Sequence, residues 1–223
     1  MENLTLIIPA KNESESLPIF LKELKNLRTK ILIILPFDDF KTKTSINYAN
    51  NIEVLIQKEN GYGNAIIEGI VNTKTEYCCI INADGSMDPK YLEKMLSYCV
   101  NKDFVFATRY EKPEGGSDDD NFITFIGNKF FSFLGNLIFK LNISDILYTY
   151  ILGKTNSFKN LNLKSHDFRL CVEIPIKAKK KNYKYITLPS YERSRIAGKK
   201  KVNAFKDGLL ILIGILSFIG KKY

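Results

Sequence analysis

The chain has 223 residues, 45% of them hydrophobic and 26% charged, with a formal net charge of +9. This length and mix suit one globular domain with a full core, and they exclude a disordered, collagen-like or disulfide-stapled chain. The positive excess points to an anionic partner: nucleic acid, a membrane surface or a phosphorylated substrate.

An apolar run, Leu4-Thr5-Leu6-Ile7-Ile8, begins almost at once and Lys11 follows it. No signal peptide is therefore expected, and the chain is placed in the cytoplasm or at the cytosolic face of a membrane. Similar short runs rich in Ile, Leu and Val recur at residues 31–35, 52–56, 77–81 and 104–107, and each predicts a strand. Helical patterns separate them: Leu17, Phe20, Leu21, Leu24 and Leu27 at three- and four-residue spacing, then residues 65–71, then residues 91–100 after Pro89 at a first-turn position. This alternation predicts an α/β fold with a mostly parallel sheet, and such sheets bind ligands beyond the carboxyl ends of their strands.

After Tyr110 the composition changes. Residues 111–121 contain Pro113, Gly115, Gly116 and three consecutive aspartates, the composition of a mobile loop able to act as a lid. Residues 122–141 are strongly apolar with helical spacing, and a packing helix is expected there in preference to a lipid-contacting one. Between residues 177 and 201 ten Lys or Arg stand against the single acid Glu192. Residues 209–219 are apolar on every face but fall short of the roughly 20 residues that cross a bilayer. A buried helix and a helix lying in the membrane interface both fit that tail. The four cysteines lack Cys-x-x-Cys spacing, as reduced thiols do, and the neighbours Cys78 and Cys79 should point to opposite faces of a strand.

The most informative stretch is Ile80-Ile81-Asn82-Ala83-Asp84-Gly85-Ser86-Met87-Asp88-Pro89, where an apolar strand ends in carboxylates and a helix follows. Hard divalent cations in nucleotide sites take one or two carboxylates and complete their shell with water and phosphate oxygens, so this run is a candidate donor site. Lys11-Asn12-Glu13 and Asp38-Asp39 follow the first two strands and should reach the same sheet edge, as partners for a base or ribose or simply as helix caps. Gly61, Gly63, Ala65 and Gly69 open a helix with small residues, which alone indicates only a turn. The lone His166 has no partner at metal-ligand spacing and is expected on a loop.

Taken together, Pro9-Ala10-Lys11-Asn12-Glu13, Asp38-Asp39, Gly61-x-Gly63-x-Ala65, Asn82-Ala83-Asp84-Gly85 and Thr108-Arg109-Tyr110 follow one recognisable order. Gly127-Asn128-Lys129-Phe130, Ser144-Asp145, residues 168–173 and 184–189, and Arg193-x-x-x-x-Gly198-Lys199-Lys200-Lys201 extend it along nearly the whole chain. The chain resembles the family 2 inverting glycosyltransferases, most closely the dolichol-phosphate mannosyltransferase and polyprenol-phosphate glycosyltransferase branch. The resemblance implies a single GT-A type domain over residues 1–223, Rossmann-like, its mostly parallel sheet flanked by helices. Residues 1–110 would bind the nucleotide sugar and residues 111–223 the acceptor.

The resemblance also assigns roles. Pro9, Ala10, Asn12, Glu13, Asp38, Asp39, Gly61, Gly63, Asn82, Ala83 and Asp84 would hold a GDP- or UDP-sugar, with Mg²⁺ or Mn²⁺ on Asp84 and Asn82 and Asp88 as a further candidate ligand. Arg109, Asp145, Arg193 and Arg195 would be catalytic, and Arg193, Arg195, Lys199 and Lys200 would hold an acceptor phosphate. The implied reaction moves one sugar, with inversion, to a polyprenyl phosphate at the cytosolic face of an anionic membrane, in cell-envelope glycan synthesis and without a nucleic-acid partner. A lipid phosphate is already an oxyanion and needs no strong base, so Asp145 is a positioning group first and a base second. Several departures stand out: Asn82 replaces the first metal-motif Asp, Asn128 an Arg, and Thr149 and Ile151 a Gly and a basic residue, while no Gly-Ser follows Asp38-Asp39. The chain has no Trp, hence no Gln-x-x-Arg-Trp motif of processive synthases. Two alternatives are transfer to a saccharide hydroxyl, with Asp145 or Glu173 as base, and a silent nucleotide-sugar-binding module.

Overall fold

The computed structural model describes residues 1–198 and 204–221. The predicted strands form as β1 (Leu4–Pro9), β2 (Lys30–Leu35), β3 (Ile52–Ile56), β4 (Tyr77–Ile80) and β5 (Phe104–Thr108). Between them lie α1 (Leu17–Leu24), the short α2 (Phe40–Thr44), α3 (Tyr62–Asn72) and α4 (Leu92–Cys99), the last entered through a 3-10 turn at Pro89–Tyr91. The remainder adds β6 (Gly116–Ser117), α5 (Phe122–Phe139), β7 (Ile151–Lys154), α6 (Thr155–Asn160), α7 (Leu170–Lys180), β8 (Tyr185–Pro189), β9 (Tyr191–Glu192) and α8 (Ala204–Ser217).

Seven strands share one sheet in the order β3-β2-β1-β4-β7-β5-β8, and only β7 runs antiparallel to its neighbours. The strands are apolar on both faces because helices cover both. Leu4, Leu6 and Ile8 join the core under α1 and α4, while Ile7, Phe104 and Phe106 join the core under α3, α6, α7 and α8. Cys79 and Cys78 divide between these cores as their alternation requires, and all four cysteines are free and buried.

Three expectations change. Residues 111–121 are not merely loop, since β6 pairs with β9. The helix over residues 122–141 is not a plain packing helix: of α5 only Ser132 and Gly135 are fully buried, and its large apolar side chains divide between a partly covered inner face and an exposed outer face. The apolar tail is neither wholly buried nor wholly exposed, because Ile211, Ile215 and Phe218 are buried while Leu209, Ile213 and Leu216 are not.

Candidate active site

A cavity of about 480 Å³ opens beyond the carboxyl ends of β1 and β4, where the strand order reverses direction. Pro9, Ala10, Lys11, Asn12 and Glu13 form one wall, and Asn82, Ala83, Asp84 and Ser86 another. Asn12 adopts φ +53°, a left-handed conformation that Asn tolerates, and donates its backbone N–H to Asp39 Oδ2 at 2.6 Å. Glu13 accepts from the Ser16 hydroxyl, and its own N–H is held by Thr42 Oγ1 at 2.9 Å.

Asp84 follows β4, past Ile81-Asn82-Ala83, with its side chain 11% exposed. Its Oδ1 accepts from the Ser86 N–H at 3.1 Å and hydroxyl at 2.8 Å, while Oδ2 lies 3.5 Å from Arg195 Nη1. Gly85 makes the turn possible at φ +75°, where any Cβ would also strike Ile196. Asn82 is fastened differently: Tyr62 donates its hydroxyl to Asn82 Oδ1 at 3.1 Å and shares a 2.6 Å bond with Thr149 Oγ1. Two departures from the family pattern, Asn82 and Thr149, thus meet on one phenol, whose pKa burial raises so that it stays a neutral donor.

Could this wall hold a divalent cation? No group of three or more His, Cys, Asp or Glu is gathered for a metal among the described residues. Asp84 and Asn82 both line the cavity, and a carboxylate beside an amide carbonyl is a donor set that suits a cation sharing a diphosphate. Charge balance favours this too. The described lining carries three cations, Lys11, Arg109 and Arg195, against five carboxylates, Glu13, Asp84, Asp119, Asp120 and Glu192. That is a net −2 at full ionisation, which an anionic nucleotide enters with a divalent counter-ion.

The other candidates are dispersed. Asp38 is exposed, and Asp39 is buried as the cap of α2, accepting from the Thr42 N–H at 3.2 Å; neither lines the cavity. Gly61 lines it, but Gly63 is small because the carbonyl of Ser165 crosses where its Cβ would be. Asp88 caps the turn into α4, pairs with Lys90 at 3.2 Å and does not line the cavity.

Arg109 sits in a buried ion cluster. Its Nε and Nη2 donate to Asp145 at 2.6 and 3.0 Å, Nη1 donates to Glu192 at 2.9 Å, and Asp120 lies 3.5 Å away. The guanidinium also lies over the Tyr148 ring at 4.6 Å. Burial opposes its charge, but Asp145 and Glu192 outweigh that and raise its pKa further. Burial is also the main influence on Glu192, whose pKa rises even though Arg109 and Ser117 pull it down. Asp145 is 1% exposed, bound through both oxygens to Arg109 and absent from the cavity wall, so it positions Arg109 and is not placed to act as a base. Glu173 is likewise withdrawn: it pairs with Lys177 at 2.6 Å and holds the N–H groups of Lys164 and Ser165.

Of the basic segment, Arg195 reaches the cavity, donating to Asp119 at 2.7 and 3.0 Å. Arg193 turns outward to the Gly85 carbonyl at 2.7 Å and Glu23 at 2.9 Å. Lys199 and Lys200 lie outside the described residues. His166 is on a loop, with its ring against Asn64. Sequence reasoning missed Gln57, Tyr62, Asp119, Asp120, Tyr148 and Glu192, all on the cavity wall, where Phe168, counted in the family run at residues 168–173 but given no role, also lies. Only the run Asp118-Asp119-Asp120 carried a visible signal, and it read as loop composition. Cys171 also faces the cavity, but burial pushes its thiol up to about 12, which removes it as a nucleophile.

Comparison with known proteins agrees with this geometry. The family model described as glycosyl transferase family 2 matches residues 5–161. Uncharacterized glycosyltransferases of Mycobacterium tuberculosis and Mycobacterium bovis are 24% identical over 210 residues, covering 94% of this chain and 94% of each relative. Among solved structures, glucosyl-3-phosphoglycerate synthase from M. tuberculosis, in complex with Mn²⁺, uridine diphosphate and phosphoglyceric acid, superposes with a TM-score of 0.72 at 11% identity, covering 99% of this chain and 79% of that one. Mannosyl-3-phosphoglycerate synthase from Rubrobacter xylanophilus gives 0.68 at 13% identity, covering 96% and 72%. These structures share the mostly parallel sheet flanked by helices, a GT-A-like fold in one domain. With its sheet, its cavity at the strand reversal and a family match over most of its length, this chain belongs to glycosyltransferase family 2 and is an enzyme of sugar transfer.

Proposed function

We propose that the protein transfers a hexosyl group, with inversion, from a GDP- or UDP-sugar to a polyprenyl phosphate, working as a peripheral protein at the cytosolic membrane face. Residues 1–110 supply most of the donor wall and residues 111–223 most of the acceptor wall. Asp84 and Asn82 would hold Mg²⁺ or Mn²⁺, which stabilises the charge of a departing diphosphate. Arg195, whose guanidinium already faces Asp84, adds positive charge beside that diphosphate. Arg109, fixed by Asp145 and Glu192, also lines the cavity and adds to that charge.

The observation that carries the acceptor class is the apolar part of the cavity lining. It comprises Leu147, Phe168, Cys171 and Ile211, and Thr124 and Asn128 of α5 also line the cavity. A small multiply charged acceptor such as phosphoglycerate calls for a group of cations; among the described residues this part of the lining is apolar and suits a lipid chain beside one phosphate. A hydroxyl acceptor needs a base, yet each carboxylate on the wall already accepts from a cation or hydroxyl: Glu13 from Ser16, Asp84 from Ser86, Asp119 from Arg195, Asp120 from Tyr110, Glu192 from Arg109.

A thermal-shift panel of nucleoside diphosphates and nucleotide sugars, with and without Mn²⁺, tests the donor site. A ligand at 100 times its dissociation constant adds about 2.7 kcal/mol of stability. Absence of any shift overturns the donor reading, and a shift independent of metal points to a silent binding module. The donor found in this way, mixed with polyprenyl phosphate or phosphoglycerate, should place its labelled sugar in the organic phase only with the first.

A further inference from the structure

α5 and α8 each carry two apolar faces. Inward, Ile211, Ile215 and Phe218 of α8 are buried, and Phe131, Leu134 and Ile138 of α5 pack against the same core. Outward, Phe122, Ile126, Phe130, Phe133 and Leu137 recur along one face of α5 and are 50–76% exposed. Phe205, Leu209, Ile213 and Leu216 repeat the pattern on α8 and are 49–85% exposed. The helices touch where Gly208 lies against the Phe131 ring. Folded proteins that stay monomeric in water rarely expose apolar side chains in such continuous rows.

We propose that the outer faces of α5 and α8 together seat the protein on an anionic lipid bilayer. The choice of occupant rests on the lipid-phosphate acceptor argued above and adds where the membrane meets the fold. Charge selects it as well. α5 contains no Asp or Glu, carries Lys129 and is followed by Lys140; α8 has Lys206 beside its single acid Asp207 and is followed by Lys221, and the sequence sets Lys199, Lys200 and Lys201 just before it. Anionic headgroups complement that charge, whereas a second copy would bring another +9 against it. The same two helices also line the cavity, through Thr124 and Asn128 of α5 and Ile211 on the inner face of α8, so a bilayer on their outer faces would lie close to the site that takes the lipid phosphate.

By length and composition α5 would cross a membrane, yet its inner face is tied to the domain. Ser132 Oγ accepts from the Ile146 N–H at 3.1 Å, and the Asn136 amide exchanges bonds of 2.9 and 3.1 Å with the Ile143 backbone. The helix therefore lies in the interface with its outer side chains reaching about 5–10 Å into it.

Because the chain has no Trp, Phe133→Trp places a single fluorescent reporter on this surface. Its emission should shift to the blue on vesicles of equimolar phosphatidylcholine and phosphatidylglycerol, less on phosphatidylcholine alone and less in high salt. Phe37→Trp, exposed on the loop after β2, should not shift. In flotation, the combined variant Phe133→Ser, Leu137→Ser, Leu209→Ser, Ile213→Ser should partition onto the mixed vesicles at least about tenfold less than the parent chain and retain the parent's thermal shift with nucleotide. An unshifted Phe133→Trp emission, or undiminished flotation of the serine variant, overturns the proposal. So does a dimer in light scattering that the serine substitutions dissolve while vesicles bind neither form. A nucleotide shift without vesicle binding rejects this surface alone; vesicle binding without any nucleotide shift rejects the donor site alone.

Discussion

Replacing Asp145 with Asn separates positioning from base catalysis. In the native chain Asp145 Oδ2 accepts from Arg109 Nε at 2.6 Å and from the Arg109 backbone N–H at 3.3 Å, and Oδ1 accepts from Nη2 at 3.0 Å. Asn keeps one carbonyl oxygen for Nε but presents an amide donor to Nη2, so one charge-assisted bond is lost, worth about 1.5–3 kcal/mol. Removing one of three carboxylates around a single guanidinium relieves repulsion among them, so the net loss should fall at about 1–2 kcal/mol, below the roughly 3–5 kcal/mol of an Arg109→Ala change that strands buried acids. Urea unfolding reads this directly. In sugar-transfer assays the Asn variant should lose less than about tenfold in kcat and keep the acidic limb of its pH profile, because loss of a true general base typically costs about 10²–10⁴-fold. A drop of that larger size together with loss of the acidic limb, at unchanged stability, would refute the positioning role and restore Asp145 as the base.

Arg195→Gln removes the cation facing Asp84 Oδ2 at 3.5 Å, an attraction of about 5 kcal/mol at an effective dielectric near 20, partly shared with Asp119. Mn²⁺ titration followed by electron spin resonance should show affinity for the nucleotide-free protein rising by about tenfold, and unchanged or weaker Mn²⁺ binding counts against an Arg195 that occupies the cation's place. Gly63→Ala drives a Cβ into the Ser165 carbonyl and should lower stability by about 1–3 kcal/mol by urea unfolding; a neutral result would mean that the loop at residues 164–167 yields easily. Glu192 has its pKa raised above 4.5, chiefly by burial, so its folded form binds protons more readily than its unfolded form. Its contribution is fully present below the unfolded pKa and is lost as pH rises through the folded one. Glu192→Gln should therefore gain on the parent chain in urea midpoint as pH climbs from 4.5 toward neutrality, and a flat or falling difference contradicts this.

Much of the fold was legible in local pattern. Runs such as Ile31-Leu32-Ile33-Ile34-Leu35 are too short and too β-branched for helices and formed strands, and Pro89 began a helical turn where its missing N–H costs nothing. β7 escaped because Ile151-Leu152-Gly153-Lys154 offers only a brief apolar signal, and its place between β4 and β5 rests on pairing with strands far away in the chain. The site divides in the same manner. Asp84 could be read from its position at a strand end, whereas Tyr62, Tyr148 and Glu192 come from a helix, a loop and a two-residue strand that carry no common motif.

The sequence by itself determined the strand and helix alternation, the sheet edge that bears the carboxylates, and the resemblance to sugar-transferring enzymes, because these depend on residue type and spacing along the chain. Only the tertiary structure decided which charges are spent on one another. Asp145 is bound up with Arg109, Glu173 with Lys177, and Asp39 with the backbone of Asn12 and of α2, while Arg195 faces Asp84. It also decided that α5, strongly apolar in sequence, turns much of its apolar surface outward, since the core beneath has room for one face of the helix and not two.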